Sequence, residues 1–389
     1  MAAALAAVLF AAAAAAQPLE KPPDTIRIAS FNANLVRQGA GVLVSDIADR
    51  DAQVLAVAEV LLRVRPDVVL LNEIDHDPQG IALRRFAALL AEGIAGLPGL
   101  AYPHRFAAPS NTGIPSGHDL DGDGRTMGPR DALGYGRFPG QYGMAVLSRF
   151  PLGPVRTFRA FRWADLPGAG PPREPDGSLF WPDEVWRALP LSSKSHWDVT
   201  VTLPGGPSLH LLASHPTPPV FDGSEDRNGL RNAAEIGFWT QYLGGAAFAD
   251  DAGDATPLAP EAAVVVLGDL NLDPADGDGR RGAIRALLSH PRLQDPLPSS
   301  AGGAAAAAQG GANDGQRGDP ALDTADWRDD APGNLRVDYV LPSAGLDVVG
   351  AGVFWPPPGD PLARLVAIDG RERASSDHRL VWVDIRPAP

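Results

Sequence analysis

The amino-acid sequence predicts an α/β sandwich, and three observations lead to this fold class. First, four well-separated segments are apolar runs that end in polar residues, and such runs are typical of strands buried on both faces. They are residues 26–34, 66–75, 264–271 and 375–385. Second, segments with helical spacing of apolar residues connect several of the strands. Third, the neighbouring strands 197–203 and 208–214 indicate a hairpin, so the sheet does not alternate strictly with helices.

The elements follow from these patterns in chain order. The first helix, 41–65, has Val, Ile and Leu at helical spacing and ends before Pro66, which cannot continue a helix. Three further helices are predicted at 81–96, 229–243 and 280–289. The predicted strands are 26–32, 67–73, 142–148, 197–203, 208–214, 264–269, 336–341, 346–354 and 379–385.

Three stretches interrupt this order and are interpreted as loops inserted in one domain, residues 24–389. Residues 108–141 are rich in Gly, Asp and Pro, residues 158–194 are rich in Pro and Trp, and residues 298–333 have low complexity. No second set of core elements flanks them, and long loops of this kind are often functional. The second loop either forms a lid or packs beneath itself through Trp163, Trp181 and Trp186.

Composition excludes several kinds of protein. The 389 residues are 44% apolar, which is enough for a sizeable core. The net charge of -14 argues against a protein built around a basic nucleic-acid surface, although a local basic patch stays open. The absence of cysteine excludes disulfides, thiolate zinc sites and a cysteine nucleophile. Any metal must therefore bind oxygen and imidazole, which favours Mg²⁺, Ca²⁺ or Mn²⁺.

The N-terminus predicts export. Residues 1–18 are apolar and rich in small residues, and an Ala-x-Ala-like site lies near Ala16. We interpret residues 1–23 as a signal peptide with a short tail, so the protein is expected in the periplasm or outside the cell. A disordered Ala-rich tail is the alternative. The apolar run is too short for a comfortable membrane span.

Polar residues end the first two predicted strands. Glu73 ends a buried strand, and a carboxylate there suits a divalent cation with hard oxygen ligands. Asn32 and Asn34 end the strand before it, where their amides can add a metal ligand or a phosphate donor. The alternatives are a solvated strand end or helix cap for Glu73 and a simple Asx turn for the asparagines.

The segment GDLNLDP places chemistry at the end of another strand. Gly268 lets the chain turn where four apolar residues end. Asp269 and Asn271 are two residues apart, so in extended geometry they share a face. One can then orient a water or metal while the other donates to a phosphoryl oxygen, although a plain β-turn is the alternative.

Two histidines are candidates for proton transfer. His378 follows Asp377 directly before an apolar strand, and a carboxylate that fixes its tautomer would suit it to act near neutral pH. Asp338 is the candidate for that carboxylate. His215 ends another strand before a Pro-rich turn, where it can stabilise charge or protonate a leaving oxygen. A surface or satisfied core histidine is the alternative in both cases.

Basic residues at element starts are candidates for phosphate contacts. Arg227 and Arg231 lie at a predicted helix start, which the helix dipole does not favour for cations. Lys194 lies at the start of a strand. Arg231 can equally form an ion pair with Glu235 one turn later.

A calcium-loop pattern opens in residues 118–125. Asp119, Asp121 and Asp123 alternate before glycine, as in Asp-x-Asp-x-Asp-Gly. Arg130 stands at the twelfth position, where the pattern requires glutamate. A structural Ca²⁺ and a solvated Asp/Gly loop both stay open.

Taken in order, these motifs resemble the endonuclease/exonuclease/phosphatase, or DNase-I-like, superfamily. The resemblance runs from Ile26 to Ile385 and rests on NEID, QYGMAVLSRFPL, GDLN, LRVDYVLPS and SDH. It implies a four-layer α/β sandwich, in which two packed mixed β-sheets are flanked by helices. It also implies hydrolysis of phosphoester bonds with Mg²⁺ or Mn²⁺.

The same resemblance implies a role for each motif residue. Glu73 is the principal metal ligand, with Asn32 and Asp377 near the metal. Asp269 and Asn271 hold the nucleophilic water and the phosphate. His378, oriented by Asp338, is the base or polarises the phosphate. His215 falls where DNase I, sphingomyelinases and inositol phosphatases carry a histidine.

The expected function is that of an exported, metal-dependent phosphoesterase acting on a phosphate mono- or diester. A small organic phosphate or a phospholipid headgroup is favoured over DNA because the net charge is acidic. A secreted nuclease is the first alternative, and a non-catalytic metal-dependent binding module is the second.

Overall fold

The structure, a computed structural model, describes residues 18–369 and 372–386. Most of the predicted signal peptide, residues 1–17, lies outside the described residues. The backbone of Leu19 donates to the carbonyl of Arg63 at 2.7 Å, so packing against the domain begins before the predicted start near Asp24. No helix within the described ranges is long and apolar enough to cross a membrane.

The described residues form two large mixed sheets and two short strand pairs. The strands are β1 (Ile26–Leu35), β2 (Val68–Ile74), β3 (His104–Phe106), β4 (Met144–Ser148), β5 (Leu152–Thr157), β6 (His196–Thr202), β7 (Ser208–Ser214), β8 (Ala263–Asp269), β9 (Ala325–Asp326), β10 (Asn334–Leu335), β11 (Asp338–Pro342), β12 (Asp347–Val353), β13 (Ile368–Asp369), β14 (Glu372–Arg373) and β15 (Val381–Arg386). The first sheet has the order β12-β15-β1-β2-β4-β3, and the second has the order β11-β8-β7-β6-β5. The pairs β1–β2 and β7–β8 are parallel, and the other neighbours in these sheets are antiparallel.

Helices cover the outer faces of the two sheets. The helices are α1 (Val42–Ala48), α2 (Ala52–Val64), α3 (Ile81–Glu92), α4 (Asp183–Ala188), α5 (Arg227–Leu243), α6 (Gly282–Leu288) and α7 (Ala301–Ala306). Side chains of α1, α2 and α3 share one buried cluster with the first sheet, and side chains of α5 and α6 share a second cluster with the second sheet. Strands β1 and β2 contact β8 across the space between the sheets. The predicted α/β sandwich of two packed sheets with outer helices is therefore confirmed.

Strand β8 is apolar from Ala263 to Leu267 because both of its faces are buried. Val265 packs in the cluster between the sheets, together with Leu211 of β7. Val264 and Val266 face the other way and pack with Leu212 under α5 and α6. Successive side chains of a strand point to opposite faces, so a central strand of such a sandwich needs apolar residues at every position.

The predicted helix 41–65 is wrong in one respect, because it is two helices. Arg50 has a left-handed backbone with φ 57°, which ends α1. The side chain of Asp51 then accepts hydrogen bonds from the backbone of Gln53 and Val54, which caps the start of α2. Aspartate is a favoured residue at a helix N-cap, so the break was visible in the sequence.

The tryptophan-rich insertion packs against the second sheet. Trp163 and Trp186 are buried in the cluster that also holds Trp239 of α5. Trp181 belongs to this cluster too, and its indole nitrogen donates to the carbonyl of Leu120 at 3.2 Å. The insertion therefore forms a secondary core, and Trp181 ties it to the first insertion.

Gly268 allows β7 and β8 to approach closely beside the polar strand ends. Its φ is 145°, and a Cβ added there would lie 2.0 Å from the carbonyl oxygen of Ser214. We expect Gly268→Ala to lower the free energy of unfolding by about 2–4 kcal/mol, because backbone must move to relieve the clash. Urea unfolding measures this change.

Gly237 is the control for this substitution. It lies inside α5, and a Cβ added there meets nothing within 4 Å. Gly237→Ala is expected to raise stability by about 0.5–1 kcal/mol, because alanine favours the helix. Equal effects of the two substitutions would contradict the close approach at Gly268.

Candidate active site

The polar strand ends identified in the sequence meet at one edge of the two sheets. In the first sheet, Asn32 of β1 lies opposite Asn72 of β2. In the second sheet, Asp269 of β8 lies opposite Asp338 of β11. The backbone nitrogen of Asp269 donates to Oδ1 of Asn72 at 3.1 Å, which joins the two sheets at this edge.

Asp269 lies at the centre of the polar cluster. Its Oδ2 accepts a hydrogen bond from Asn32 at 3.0 Å and lies 3.3 Å from Nε2 of His215. The same oxygen lies 3.7 Å from Nε2 of His378, and Oδ1 accepts from the backbone of Asn271 at 2.9 Å. Burial alone would raise the pKa of this carboxyl, but the two histidines and Asn32 hold it well below its ordinary value. Asp269 is therefore ionised at neutral pH.

His378 and Asp338 form an imidazole–carboxylate pair. Nδ1 of His378 and Oδ2 of Asp338 are hydrogen bonded at 2.8 Å, and both side chains are buried. Burial lowers the pKa of His378, but the charges of Asp338 and Asp269 outweigh it and raise the pKa well above its ordinary value. The imidazole is therefore protonated at neutral pH and presents Nε2–H toward Asp269.

His215 is a second imidazole, and unlike His378 it is neutral at neutral pH. Burial, with the nearby charge of Lys194, lowers its pKa to about 4 even though it contacts Asp269. Its Nδ1 is buried and has no hydrogen-bond partner among the described residues. The cluster thus holds one charged and one neutral imidazole on either side of a carboxylate.

Glu73 brings a carboxylate from β2 to the same place. Its Oε1 lies 4.0 Å from Nε2 of His215, and its side chain is 21% exposed. Burial raises the pKa of the Glu73 carboxyl to about 7, and the neighbouring carboxylates Asp377 and Asp269 add to this rise against the charge of His378. The nearby positive charges therefore do not offset the effect of burial and of the neighbouring carboxylates on Glu73.

Four residues around this cluster have left-handed backbone conformations. The φ angles are 48° at Asn34, 56° at Glu73, 55° at Tyr142 and 53° at Asn271. This conformation costs a non-glycine residue about 1 kcal/mol or more, and it collects at functional sites. The backbone strain therefore coincides with three of the residues that the sequence selected.

The SSDH segment is fixed to the end of β1. The hydroxyl of Ser376 donates to the carbonyl of Asn32 at 2.8 Å and accepts from the backbone of His378 at 3.0 Å. Oδ1 of Asn32 accepts from the backbone of Asn34 at 3.2 Å. Asp377, beside them, forms an ion pair with Arg373 at 2.8 Å.

Lys194 reaches the cluster from the start of β6. Its side chain is 7% exposed in total, and its only hydrogen bond within the described part of the chain is to the carbonyl of Pro216 at 3.4 Å. Burial lowers its pKa, whereas the charges of Glu235, Glu73 and Asp269 oppose this change. Such a buried ammonium has donors to spare for an anionic ligand.

The guanidinium of Arg231 is hydrogen bonded to backbone carbonyls and not to the residues of the cluster. It donates to three backbone carbonyls of the two insertions, those of Leu133, Pro190 and Leu191. The alternative ion pair with Glu235 is not formed, because Glu235 accepts hydrogen bonds from Ser193 and Thr217 instead. These contacts fix the insertions to α5, and the predicted role of Arg231 in substrate binding stays a prediction.

The catalytic candidates open into one large cleft. Its volume is about 1700 Å³, and its walls include Asn34, Glu73, Asp269, Asp377 and His378. The cleft also contacts Asn271 and Trp327. Residues from four distant parts of the chain therefore face a common solvent-filled space.

A family model matches the chain over the residues that build this edge. The model is that of the Endonuclease/Exonuclease/phosphatase family, and the match covers residues 29–378. The chain belongs to the endonuclease/exonuclease/phosphatase family. Members of this family hydrolyse phosphoester bonds and typically use a divalent metal ion. The resemblance seen in the motifs is confirmed.

Solved structures of other proteins are distantly similar to this chain over most of its length. An endonuclease/exonuclease/phosphatase from Beutenbergia cavernae DSM 12333 is 20% identical, with a TM-score of 0.47, over 93% of this chain and 72% of that one. Sphingomyelinase C from Streptomyces griseocarneus is 14% identical, with a TM-score of 0.45, over 94% and 99% of the two chains. The human Nocturnin catalytic domain is 15% identical, with a TM-score of 0.45, over 94% and 95%. These similarities are too distant to indicate a substrate, and no curated protein matches the chain.

The oxygen donors around Glu73 fit the divalent ion typical of the family. The Glu73 carboxylate has no hydrogen bond with the described residues, and burial, with the nearby negative charges of Asp377 and Asp269, raises its pKa. Glu73 would hold the ion, with Asn32 and Asp377 beside it, and carboxylate and amide oxygens are ligands that Mg²⁺ and Mn²⁺ accept. When bound, such an ion neutralises charge on a phosphoryl oxygen.

Two clusters of ionisable groups bring potential ligand atoms within 4.8 Å of one another in the described ranges. The first is Asp269, Asp338 and His378. Because His378 and Asp338 are already hydrogen bonded, we interpret this trio as an acid–base cluster, not as the predicted ligand set. The second cluster is the surface loop of Asp119, Asp121 and Asp123.

The surface loop leaves the calcium hypothesis undecided. Both oxygens of Asp119 accept hydrogen bonds from the loop backbone, at Gly122 and Gly124. This pattern is also that of an Asx-type turn, which needs no ion. A structural Ca²⁺ at Asp119, Asp121 and Asp123 therefore stays a prediction.

Sequence reasoning missed three residues of the site. Thr324 donates to Oδ2 of Asp338 at 2.9 Å, the same oxygen that is hydrogen bonded to His378, and so helps to fix the carboxylate. The ring of Trp327 meets the ring of His378 edge-on, with centroids 5.4 Å apart. Asn72, which joins the sheets, was visible as a polar break in an apolar strand, whereas Thr324 and Trp327 lie in an insertion without periodicity.

Proposed function

We propose that this family member hydrolyses a small organic phosphate mono- or diester with the help of Mg²⁺ or Mn²⁺. The observation that carries the proposal is the contact of ionised Asp269 with protonated His378 and neutral His215. The carboxylate of Glu73, which has no hydrogen bond with the described residues, lies beside them. Hydrolysis of a phosphoester needs an acceptor for the proton of water and donors for the phosphoryl oxygens. The cluster supplies both.

The charge states divide the roles among these residues. Asp269 is ionised, so it can orient water and accept its proton. His378 is held in the imidazolium form by Asp338, so it donates from Nε2 to a phosphoryl oxygen and does not act first as a base. Neutral His215 and the amide of Asn271 contact the Asp269 carboxylate, and the ammonium of Lys194 can donate to the remaining oxygens. The family resemblance allowed two roles for His378, that of a base and that of a group that polarises the phosphate. This division of charge states favours the second role.

The charge of the cleft favours a small substrate over nucleic acid. Its lining contains two guanidinium groups, those of Arg328 and Arg373. Its lining carboxylates are Glu73, Asp269, Asp273, Asp278, Asp326, Asp329, Asp330 and Asp377. A polynucleotide brings one negative charge per nucleotide and would be repelled by such a surface, whereas a single phosphate beside one bound cation would not.

A panel of metals and substrates tests the proposal. We expect hydrolysis of bis(4-nitrophenyl) phosphate or 4-nitrophenyl phosphate with Mg²⁺ or Mn²⁺, loss of activity in EDTA, and intact supercoiled plasmid under the same conditions. Plasmid nicking at a comparable rate would establish the nuclease alternative. Absence of turnover with every metal and substrate would leave the binding-module alternative.

Lys194→Met is expected to lower kcat/KM about 10–100-fold in this assay, because the variant loses a buried ammonium that faces the phosphate site. The melting temperature should stay equal or rise, since the lysine has no carboxylate partner within 4 Å among the described residues and burial opposes its charge. Lys21→Met removes a partly exposed ammonium that is ion paired with buried Asp67, and it is the control because Lys21 lines neither the cleft nor the adjoining cavity. A loss of stability without a change in kcat/KM would show that Lys194 is only structural.

We also propose export to the periplasm or the medium, on the strength of the N-terminal segment alone. Residues 1–23 have the apolar stretch and small-residue site of a signal peptide. Fractionation of cells that express the full chain tests this proposal. Export predicts a processed protein outside the cytoplasm, whereas an unprocessed cytoplasmic protein would contradict it.

A further inference from the structure

A second cavity opens beside the catalytic cluster. Its volume is about 480 Å³, and Glu73, Lys194 and His215 form part of its wall. It shares Glu73 and the aromatic side chain of Phe221 with the large cleft, so the two spaces adjoin at the place assigned to the phosphate. His215 and Lys194, which have roles in the proposed reaction, line this second cavity.

The two long insertions build the walls of this cavity. Leu120 and Ala132 come from residues 108–141, and Trp181 and Leu189 come from residues 158–194. These four side chains are buried, and none of them contacts the catalytic carboxylates directly by a hydrogen bond or ion pair in the described structure. The insertions therefore add an apolar chamber to the site.

Aromatic side chains with polar tips form the rest of the lining. Tyr135 and Tyr142 have ring centroids 6.0 Å apart, and neither hydroxyl is hydrogen bonded within the described ranges. Tyr135 is 50% exposed and Phe221 is 79% exposed, so both rings face solvent at the mouth of the cavity. A ligand that covers these rings would remove apolar surface from water.

Cations distinguish this chamber from a site for an alkyl chain. Arg130 and Arg227 contribute to its lining, in addition to Lys194. A hydrocarbon chain gains nothing from such groups, whereas an aromatic ring offers its electron-rich face to a cation. The volume of the cavity also matches the lower range of small-molecule pockets. A cavity of this size is too small for a diacyl lipid.

We propose that the 480 Å³ cavity is a subsite for an aromatic group, of aryl to nucleoside size, esterified to a phosphate bound beside Glu73, Lys194 and His215. This inference rests on the proposed function and specifies its substrate class. The insertions then set specificity, while the sheet edge supplies the chemistry.

Inhibition by paired phosphates tests the subsite. Phenyl phosphate and methyl phosphate carry the same anion, so the ratio of their binding constants measures what the cavity adds. Isothermal titration with Mg²⁺ present should show that phenyl phosphate binds the wild type at least about tenfold more tightly, as expected for burial of one ring. A ratio near one in the wild type would overturn the proposal.

Variants of the cavity locate the effect. Tyr135→Ala and Phe221→Ala remove exposed rings at the mouth, and Ala132→Phe fills the chamber, so each should lower the ratio severalfold while methyl phosphate binding stays within about twofold. Met127→Ala is the control, because Met127 is 77% exposed on the same insertion and does not line the cavity. If the three cavity variants keep the wild-type ratio, the aromatic group binds elsewhere.

Two further outcomes separate the competing explanations. If octyl phosphate binds more tightly than phenyl phosphate and Ala132→Phe abolishes that binding, the chamber accepts alkyl chains and the aromatic assignment is wrong. If the binding ratios hold but no phosphoester is hydrolysed with any metal, the proposed function fails and the subsite stands. If hydrolysis occurs while the wild-type ratio is near one, the subsite fails and the proposed function stands.

Discussion

His378→Ala is expected to lower kcat for a phosphate diester about 10³-fold while the protein stays folded. The variant loses the protonated imidazole that stabilises charge on the phosphoryl oxygens, and contributions of this kind are worth about 10²–10⁴-fold. Asp338 keeps its hydrogen bond from Thr324, and burial favours uptake of a proton by its carboxyl, so an unpaired charge need not remain. Steady-state kinetics with saturating Mg²⁺ and thermal unfolding measure the two effects.

His210→Ala is the matched control for this substitution. His210 and Asp198 form a histidine–carboxylate hydrogen bond of 2.7 Å on the second sheet, and neither residue lines the catalytic cleft. Its loss should leave kcat within about twofold of the wild type. Wild-type rates in His378→Ala would refute the assigned role, and an equal loss in both variants would point to damage of the fold.

Glu73→Gln is expected to raise the Mg²⁺ concentration needed for half-maximal activity by about 100-fold or more. The substitution keeps the shape of the side chain but removes the charge on the principal oxygen ligand, and divalent cations depend on that charge. Magnesium titrations of activity for the wild type and the variant give the shift directly. An unchanged titration would remove Glu73 from the metal site, and Glu92→Gln, at an exposed helix end, should reproduce the wild-type curve.

The raised pKa of Glu73 adds a pH dependence to the same experiment. With a pKa of about 7, the Glu73 carboxyl is mostly protonated below that pH in the metal-free protein. A cation must displace this proton, so apparent affinity for Mg²⁺ should fall about tenfold per pH unit as the pH drops below 7 and level off above it. The dependence should disappear in Glu73→Gln, and a pH-independent wild-type affinity would contradict the assignment.

The fold was predictable where burial dictates the pattern. Strand β8 is apolar from Ala263 to Leu267 because both faces are covered, and helices such as α5 show the spacing of one buried face. Strand β5 escaped prediction because it contains Gly153 and Pro154 and lies half exposed at a sheet edge, where apolar residues are not required. The division of α1 from α2 was missed because apolar spacing continues across the break.

The site was predictable where a polar residue interrupts or ends an apolar strand. That rule selected Glu73, Asp269 and His378. The structure places His378 3.7 Å from Asp269, and Glu73 4.0 Å from His215, which itself contacts Asp269. It could not select Thr324, because a residue in an irregular segment carries no pattern that reports its distant partner. It also could not separate Lys194, which faces the cluster, from Arg231, which is held by backbone carbonyls.

The left-handed backbones at Asn34, Glu73 and Asn271 have a consequence for efforts to make the protein more heat-resistant. Glycine adopts these angles freely, so a search guided by melting temperature alone would enrich glycine at the very positions whose side chains do the chemistry. The variants selected in this way would be more stable but catalytically inactive. Any such search must therefore hold these three positions constant and look for improvement elsewhere in the chain.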